Sequence, residues 1–281
     1  MSVRSAEEVL SDIERLRSPR FYFTDDNLLA NRKLLLVVLR HLAASPRRRL
    51  WAGQVTHRIV RDREIMNILQ PSGCKLLFIG FDSLQSLSLR QIGGFKASDK
   101  DTFTESVDRL HELDISVIGS FMFGMDGDRP GDIISTAEIA TQVGLDVAAL
   151  NIFTPIPGTD TYKRYHAQGR IFEHDLTRYD FKNLVFYPKH FSPAELHKEF
   201  TAATHLFYGF NGLLRRVRKM RNLEFMLPLN ILYNPWLSEV LHLYWRNAAP
   251  RQLDESLFAD ATNSTCLPGS HIKRGQVKSC S

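Results

Sequence analysis

The stretch "ISVIGSFMFGMDGD", Ile115 to Asp128, is a nearly unbroken apolar run that ends among two acids and two glycines. A run of this kind reads as a strand buried on both faces, which is the habit of parallel sheets. Side chains alternate along a strand. Ser120, Met122, Gly124 and Asp126 therefore share one face, and the opposite parity is bulky and apolar.

The pattern repeats on either side of this stretch. Before it stands an amphipathic helix, "DKDTFTESVDRLHELD" (99–114), and a strand, "KLLFIGFDS" (75–83). After it come a helix ending at Gly144, "GDIISTAEIATQVG", and a strand leading into a rigid turn, "DVAALNIFTPIPGT" (146–159). Further towards the N-terminus lie the helix "REIMNILQPSG", the strand "RLWAGQVT", the helix "LLANRKLLLVVLRHLAAS" and the strand "RFYFTD". A first helix, "SAEEVLSDIERLRS", opens on Ser5 with Glu8 three residues on, the sequence of a capping box. Strands thus recur at roughly the length of one βα unit, which predicts an α/β fold, either a doubly wound open sheet or a barrel.

The rhythm stops near residue 160. "LTRYDFKNLVFYPKHFS" (176–192) is irregular and aromatic, and Ser192–Asn222 reads as one long helix with Ser192 as cap and Pro193 in its first position. "NPWLSEVLHLYWRN" (234–247) reads as another helix. From Ala248 the composition turns to Ser, Gly, Asn and Lys, which predicts disorder. The expected division is a barrel over 1–160, a helical extension over 161–247 and a tail over 248–281.

The net charge of +5 is concentrated late, above all in "RRVRKMR" (215–221). Aromatic residues are not interleaved with these charges, so the run reads as a solvated helix face and not as a nucleic-acid site. The neighbouring apolar stretch Leu206–Leu214 reads as core packing and not as a lipid-binding face. Three cysteines, Cys74, Cys266 and Cys280, are too few and too far apart for a disulfide framework, and a reducing cytoplasm is the expected location. No run long and apolar enough for a membrane span is present. The histidines show no metal-ligand spacing.

Parallel βα folds place ligands at the carboxyl ends of their strands. The residues gathered there are Asp25, Asp26 and Asn27 after the first strand, Gln54 on the second, Asp82 and Ser83 on the third, Ser120, Gly124 and Asp126 on the fourth, and Asn151 on the fifth. One of the paired acids is expected to face a ligand while the other caps the next helix or meets its dipole. Gly80, Gly119 and Gly124 interrupt strands, which can mark close approach by a ligand or by another part of the protein.

"FYFTDDN", "LWAGQVT", "SGCKLLFIGFDS", "GSFMFGMDGD" and "FTPIPGT" resemble, in order and spacing, the strand ends of radical S-adenosylmethionine enzymes. The likeness is greatest to the cobalamin-binding group with a C-terminal extension, which "YDFKNLVFYPKHFSPAEL" and "PLNILYNP" resemble. The resemblance implies a partial TIM-type barrel followed by a mostly helical extension. It implies S-adenosylmethionine, a four-iron four-sulfur cluster and cobalamin as cofactors, and methylation or rearrangement at an unactivated carbon of a small molecule, lipid-like or tetrapyrrole-like. Carried over, Asp25, Asp26 and Asn27 lie by the methionine part. Gln54, Asp82 and Ser83 approach the ribose or methionine groups, and Ser120, Gly124 and Asp126 border the adenine side. The group usually has Glu where Asp82 stands, one methylene longer.

The family's Cys-x-x-x-Cys-x-x-Cys motif has no match in these 281 residues. The expectation is a barrel lacking its first strand, an exposed aromatic edge at residues 20–25, and no activity from the chain by itself. Two alternatives stand beside this one. One is a metal-ion-dependent βα-barrel enzyme built on Asp25, Asp26, Asp82 and Asp126. The other is a non-catalytic descendant or binding protein that keeps the surface without the chemistry.

Overall fold

The computed structural model describes residues 4–91 and 100–232. The chain divides into a compact unit, Met1–Leu237, and a second, Ser238–Ser281. The expected helix at 234–247 and the disordered tail lie outside the described residues.

In chain order the elements are α1 (Ala6–Arg15), β1 (Arg20–Tyr22), α2 (Arg32–Ala44), β2 (Leu50–Thr56), α3 (Arg63–Leu69), β3 (Cys74–Asp82), α4 (Ser86–Gln91), α5 (Lys100–Glu112), β4 (Ser116–Phe123), α6 (Asp132–Val143), β5 (Val147–Ile152), α7 (Asp160–Ala167), α8 (Pro193–Tyr208), α9 (Phe210–Arg216) and α10 (Leu223–Leu232). The five strands pair in parallel in the order β1-β2-β3-β4-β5. Each crossover carries a helix, as parallel neighbours require.

Packing decides which strand face is which. Trp51 and Val55 of β2, Leu77, Ile79 and Phe81 of β3, and Val117, Phe121 and Phe123 of β4 are buried in one continuous core with residues of α2, α3, α5, α6 and α8. Phe81, Phe103 and Phe121 form a ring cluster with centroids 4.7–5.8 Å apart. The alternate residues, Ala52, Gln54, Thr56, Gly80, Asp82, Ser120, Met122 and Asn151, are only half-buried. These are the positions of the sequence-predicted ligand face.

Several local expectations change. β4 stops at Phe123 rather than running to Asp128, because Gly124 takes φ +94° and the chain turns. Asp128, almost fully buried, holds that turn by accepting the amides of Gly124 at 2.8 Å and Met125 at 3.0 Å, and it bonds Ser88 Oγ of α4. The long helix is two, broken at Gly209, where extended backbone ends α8. The predicted capping box of Ser5 with Glu8 forms, and the predicted cap Ser192 forms one with Glu195. Neither Asp25 nor Asp26 caps a helix. Asn27 caps the 3₁₀ turn Leu28–Asn31, and Asn31 caps α2. An amide oxygen satisfies the free N–H groups of a helix start as well as a carboxylate does.

The basic run 215–221 is a solvated face only in part: Arg215, Arg218 and Lys219 are exposed, but Arg216 is not. Arg216 is wholly buried and donates to the carbonyls of Leu145, Asp146 and Phe207 and to Asn230 Oδ1, all at 2.9–3.1 Å. Its guanidinium lies 3.6 Å from the Phe207 ring centroid, and burial lowers its pKa to about 10. Asp146, also fully buried, accepts from His111 Nε2 and from the amides of Val117 and Arg221 at 2.7–2.8 Å. This polar knot fastens the extension to the amino-terminal ends of β4 and β5.

Candidate ligand site on the open strand face

The register of the sheet builds a floor. Thr56 pairs with Gly80, Gly80 with Ser120, and Ser120 with Ala149, so one row of four small residues crosses β2 to β5 near their carboxyl ends. The row below holds Gln54, Phe78 and Ile118, and the row above pairs Met122 with Asn151. Small residues in one row leave a trough. A Cβ on Gly80 would meet only Asp82 Oδ1, at 3.5 Å.

Asp82 stands over this trough. Its φ is +60°, a conformation uncommon outside glycine. The cause is local: the β3–β4 register slips between Gly80 and Asp82, and the amide of Ser83 returns to the carbonyl of Phe81 at 2.7 Å. Such a three-residue turn around a non-glycine residue stores strain of order 1–3 kcal/mol. Among the described residues the Asp82 carboxylate accepts no hydrogen bond, and burial raises its pKa. A half-buried acceptor with no donor of its own is complementary to an ammonium or hydroxyl group on a ligand.

The other predicted residues separate into three groups. Asn151 donates to Ser120 Oγ at 3.2 Å and to the carbonyls of Phe121 and Ala149, so these two predicted residues meet on the trough floor. Gln54 lies on the same face. Asp25 and Asp26 are exposed at the exit from β1, at the same rim of the parallel sheet. The third group faces elsewhere or is already engaged. Ser83 is buried and accepts the amide of Gln85 at 2.9 Å, which shapes the start of α4. Asn27 is the cap described above. Gly124 faces Leu196, whose Cδ1 lies 2.9 Å from where a Cβ would stand. Gly119 likewise makes room for Leu145 and Phe81. At these two glycines the close approach is by core side chains.

Asp126 belongs to a closed network. It pairs with Arg170 at 2.7 Å and accepts from the Tyr165 hydroxyl at 3.0 Å, while its amide donates to Gln91 at 2.7 Å. Burial acts to raise its pKa, but Arg170 and Tyr165 outweigh burial and hold it below the usual carboxylate range. Sequence reasoning missed Tyr165, Arg170 and Gln91, which tie α4, the β4 exit, α7 and the extension together. The aromatic "YKRYHAQGR" carried the only signal, since Arg170 stacks 3.9 Å from the Tyr165 ring centroid. After β5, Thr159 caps α7 through Tyr162 N at 3.2 Å, and the intervening Pro155 is buried.

Cofactor fit can be tested on these groups. An iron–sulfur cluster needs thiolates. Cys74 is the one cysteine among the described residues. It begins β3, at the far end of the strand from Asp82, and burial drives its thiol pKa strongly upward. The described residues do not fit a cluster. Nor do the four candidate aspartates form a cation site: no group of three His, Cys, Asp or Glu able to hold a metal occurs among the described residues. What the trough offers is the Asp82 carboxylate, an acceptor without a donor among the described residues. Two clefts lie away from it, one of about 550 Å³ by Lys75 and Arg221 at the strand starts and one of about 390 Å³ by Gly209 and Phe210.

No family model matches the chain. Curated relatives include the bacteriochlorophyllide d C-12(1)-methyltransferase of Chlorobaculum tepidum, 26% identical over 231 residues, which covers 81% of this chain and 49% of that protein. The hopanoid C-2 methylase of Rhodopseudomonas palustris is 23% identical over 186 residues, 62% of this chain and 34% of that protein. The chain thus spans about half the length, or less, of the curated relatives it matches. Among solved structures, the radical S-adenosylmethionine methyltransferase TsrM from Kitasatospora setae, with cobalamin and a four-iron four-sulfur cluster bound, superposes with a TM-score of 0.53. It is 18% identical, over 59% of this chain and 32% of that one. The five-stranded parallel sheet with its helices is the partial barrel of that fold.

Proposed function

Because the chain belongs with the radical S-adenosylmethionine enzymes, we propose that its trough is the S-adenosylmethionine-binding wall of a methyltransferase-type catalyst. The observation that carries this reading is the strained, half-buried Asp82 carboxylate, without a donor among the described residues, above a row of small residues. In this reading Asp82 accepts hydrogen bonds from the ammonium or ribose hydroxyls of the ligand. Gln54 offers an amide on the same face, and Asn151 with Ser120 forms the polar floor. Asp25 and Asp26 add negative charge at the rim, which favours a sulfonium cation. When bound, S-adenosylmethionine supplies the methyl group. The chain's own residues orient it and shield it from water on the helix-covered side.

The proposed acceptor is a small molecule of tetrapyrrole or lipid class, because the relatives are named for methylating a bacteriochlorophyllide and a hopanoid. Nothing among the described residues favours the aspartate-bound cation, since Asp126 is held by Arg170 and the other three form no cluster with it.

Calorimetric titration of the full chain with S-adenosylmethionine tests the proposal. Asp82→Asn should weaken binding by about tenfold or more, with circular dichroism unchanged. Equal affinity for both proteins would refute the role of Asp82, and no binding by either would refute the site. Incubation with iron and sulfide should leave the chain without thiolate-to-iron charge-transfer absorption.

A further inference from the structure

The face of α9 that points away from the barrel is unlike the rest of the extension. Phe210 is 75% exposed and Leu214 59% exposed. At about 3.6 residues per turn, Phe210, Leu214 and Arg218 follow one another along one side of the helix and the turn that continues it. Asn211 and Arg215 flank them, and all five are exposed. The opposite side is engaged: Gly212 and Arg216 are buried, and Leu213 packs on the core. Among the described residues nothing covers the outer face.

Its charge is one-sided. From Phe200 through Leu223 the chain carries no aspartate or glutamate. Of the cations in this stretch, Arg216, Lys219 and Arg221 donate to carbonyls of the barrel or their own turn. Arg215 and Arg218 have no partner among the described residues. The surface therefore offers two large apolar side chains one turn apart, bordered by two uncommitted guanidinium groups.

We propose that this α9 face docks on an anionic lipid surface. Phe210 and Leu214 would enter the boundary between headgroups and acyl chains, and Arg215 and Arg218 would pair with lipid phosphates. The division of labour is that of an interfacial helix, with apolar insertion and basic attraction acting together. A polyanion such as nucleic acid would use the arginines and leave the phenyl ring and the leucine in water. No helix among the described residues is long and apolar enough to cross a membrane, so the contact is one of lying on the bilayer. The inference does not depend on the trough.

Co-sedimentation of the full chain with vesicles of phosphatidylcholine, alone or mixed with phosphatidylglycerol, tests it. The expected result is binding to the anionic vesicles only, weakened by salt. The double variant Phe210→Ser/Leu214→Ser should lower the partition coefficient about tenfold or more. Arg215→Gln/Arg218→Gln should abolish the preference for anionic lipid. All the substituted side chains are exposed, so Tm should hold, and a matched Tm guards against misfolding. No sedimentation of the wild type would overturn the proposal, as would binding that the serine variant retains in full, which marks a polyanion site. A wild-type dimer that the serine variant converts to monomer would assign the face to a second copy of the chain and likewise overturn it.

Discussion

Two acids at opposite ends of the sheet, Asp146 and Asp82, are treated in opposite ways. At the amino-terminal end, Asp146 accepts three hydrogen bonds on its carboxylate, and Arg216 donates through both terminal nitrogens. Of these two side chains only Arg216 Nε is without a partner among the described residues, as is Arg49 Nε just before β2. At the carboxyl end, Asp82 is strained and bonds to nothing among the described residues. A saturated network fixes structure, and a group burdened with desolvation and strain is tolerated where a ligand completes it. The contrast separates a clamp from a proposed receptor within one sheet, and it can be broken by substitution.

The largest effect should fall at the clamp. Arg216→Ala leaves Asn230 Oδ1 and the carbonyls of Leu145 and Phe207 without the guanidinium, while the Asp146 carbonyl keeps Asn230 Nδ2, and a loss of about 3–5 kcal/mol is expected from urea unfolding. Arg216→Met, of similar length and apolar, should cost less. An Arg216→Ala loss below about 1 kcal/mol would show that the base is not a clamp.

Asp128 comes next. Asp128→Ala strands the amides of Gly124 and Met125 and should cost about 1–3 kcal/mol. Its pH dependence has a defined sign. Burial raises the Asp128 pKa from 3.8 to about 6, against the pull of its bonds to Ser88, Gly124 and Met125. The folded chain therefore holds this proton more tightly than the unfolded chain. The resulting stabilisation is complete below pH 3.8 and is lost as the pH rises through about 6. Melting curves across that window should show the decline in the wild type and a flatter profile in Asp128→Asn.

A smaller effect, of opposite sign, is expected at the receptor. Asp82→Gly removes the left-handed strain and the desolvated carboxylate, so stability should rise by about 1 kcal/mol while S-adenosylmethionine binding falls. A loss of stability on this substitution would mean that the carboxylate supports the fold. Least of all should Asp25→Asn or Asp26→Asn matter to folding: both side chains are exposed and cap nothing, and no measurable change in Tm is expected.

Much of the architecture was legible because period and punctuation agree. The alternation of β2 and β3, the caps at Ser5 and Ser192, and the stop at Gly144 are local events, decided by residues a few positions apart. The trough was legible in part, since parity alone puts Gln54, Asp82, Ser120 and Asn151 on one face. What sequence could not supply was the distant partner. Arg216 reads as a solvent cation until the carbonyls of Leu145 and Asp146 are brought to it. Asp126 reads as a ligand group until Arg170, far along the chain, closes on it. Phe210 and Leu214 resemble core residues because composition does not say which side of a helix faces inward. The break at Gly209 turns that stretch and exposes the pair.

Gly80 carries one more implication. Its backbone angles suit any residue, and the space beside it would admit a methyl group without a clash. A glycine in mid-strand forgoes packing and rigidity that alanine or valine would contribute. Folding by itself would thus be better served by a larger residue at position 80. In the proposed reading the missing side chain is a vacancy shaped from outside the polypeptide, and its depth sets how closely a guest can rest against the sheet.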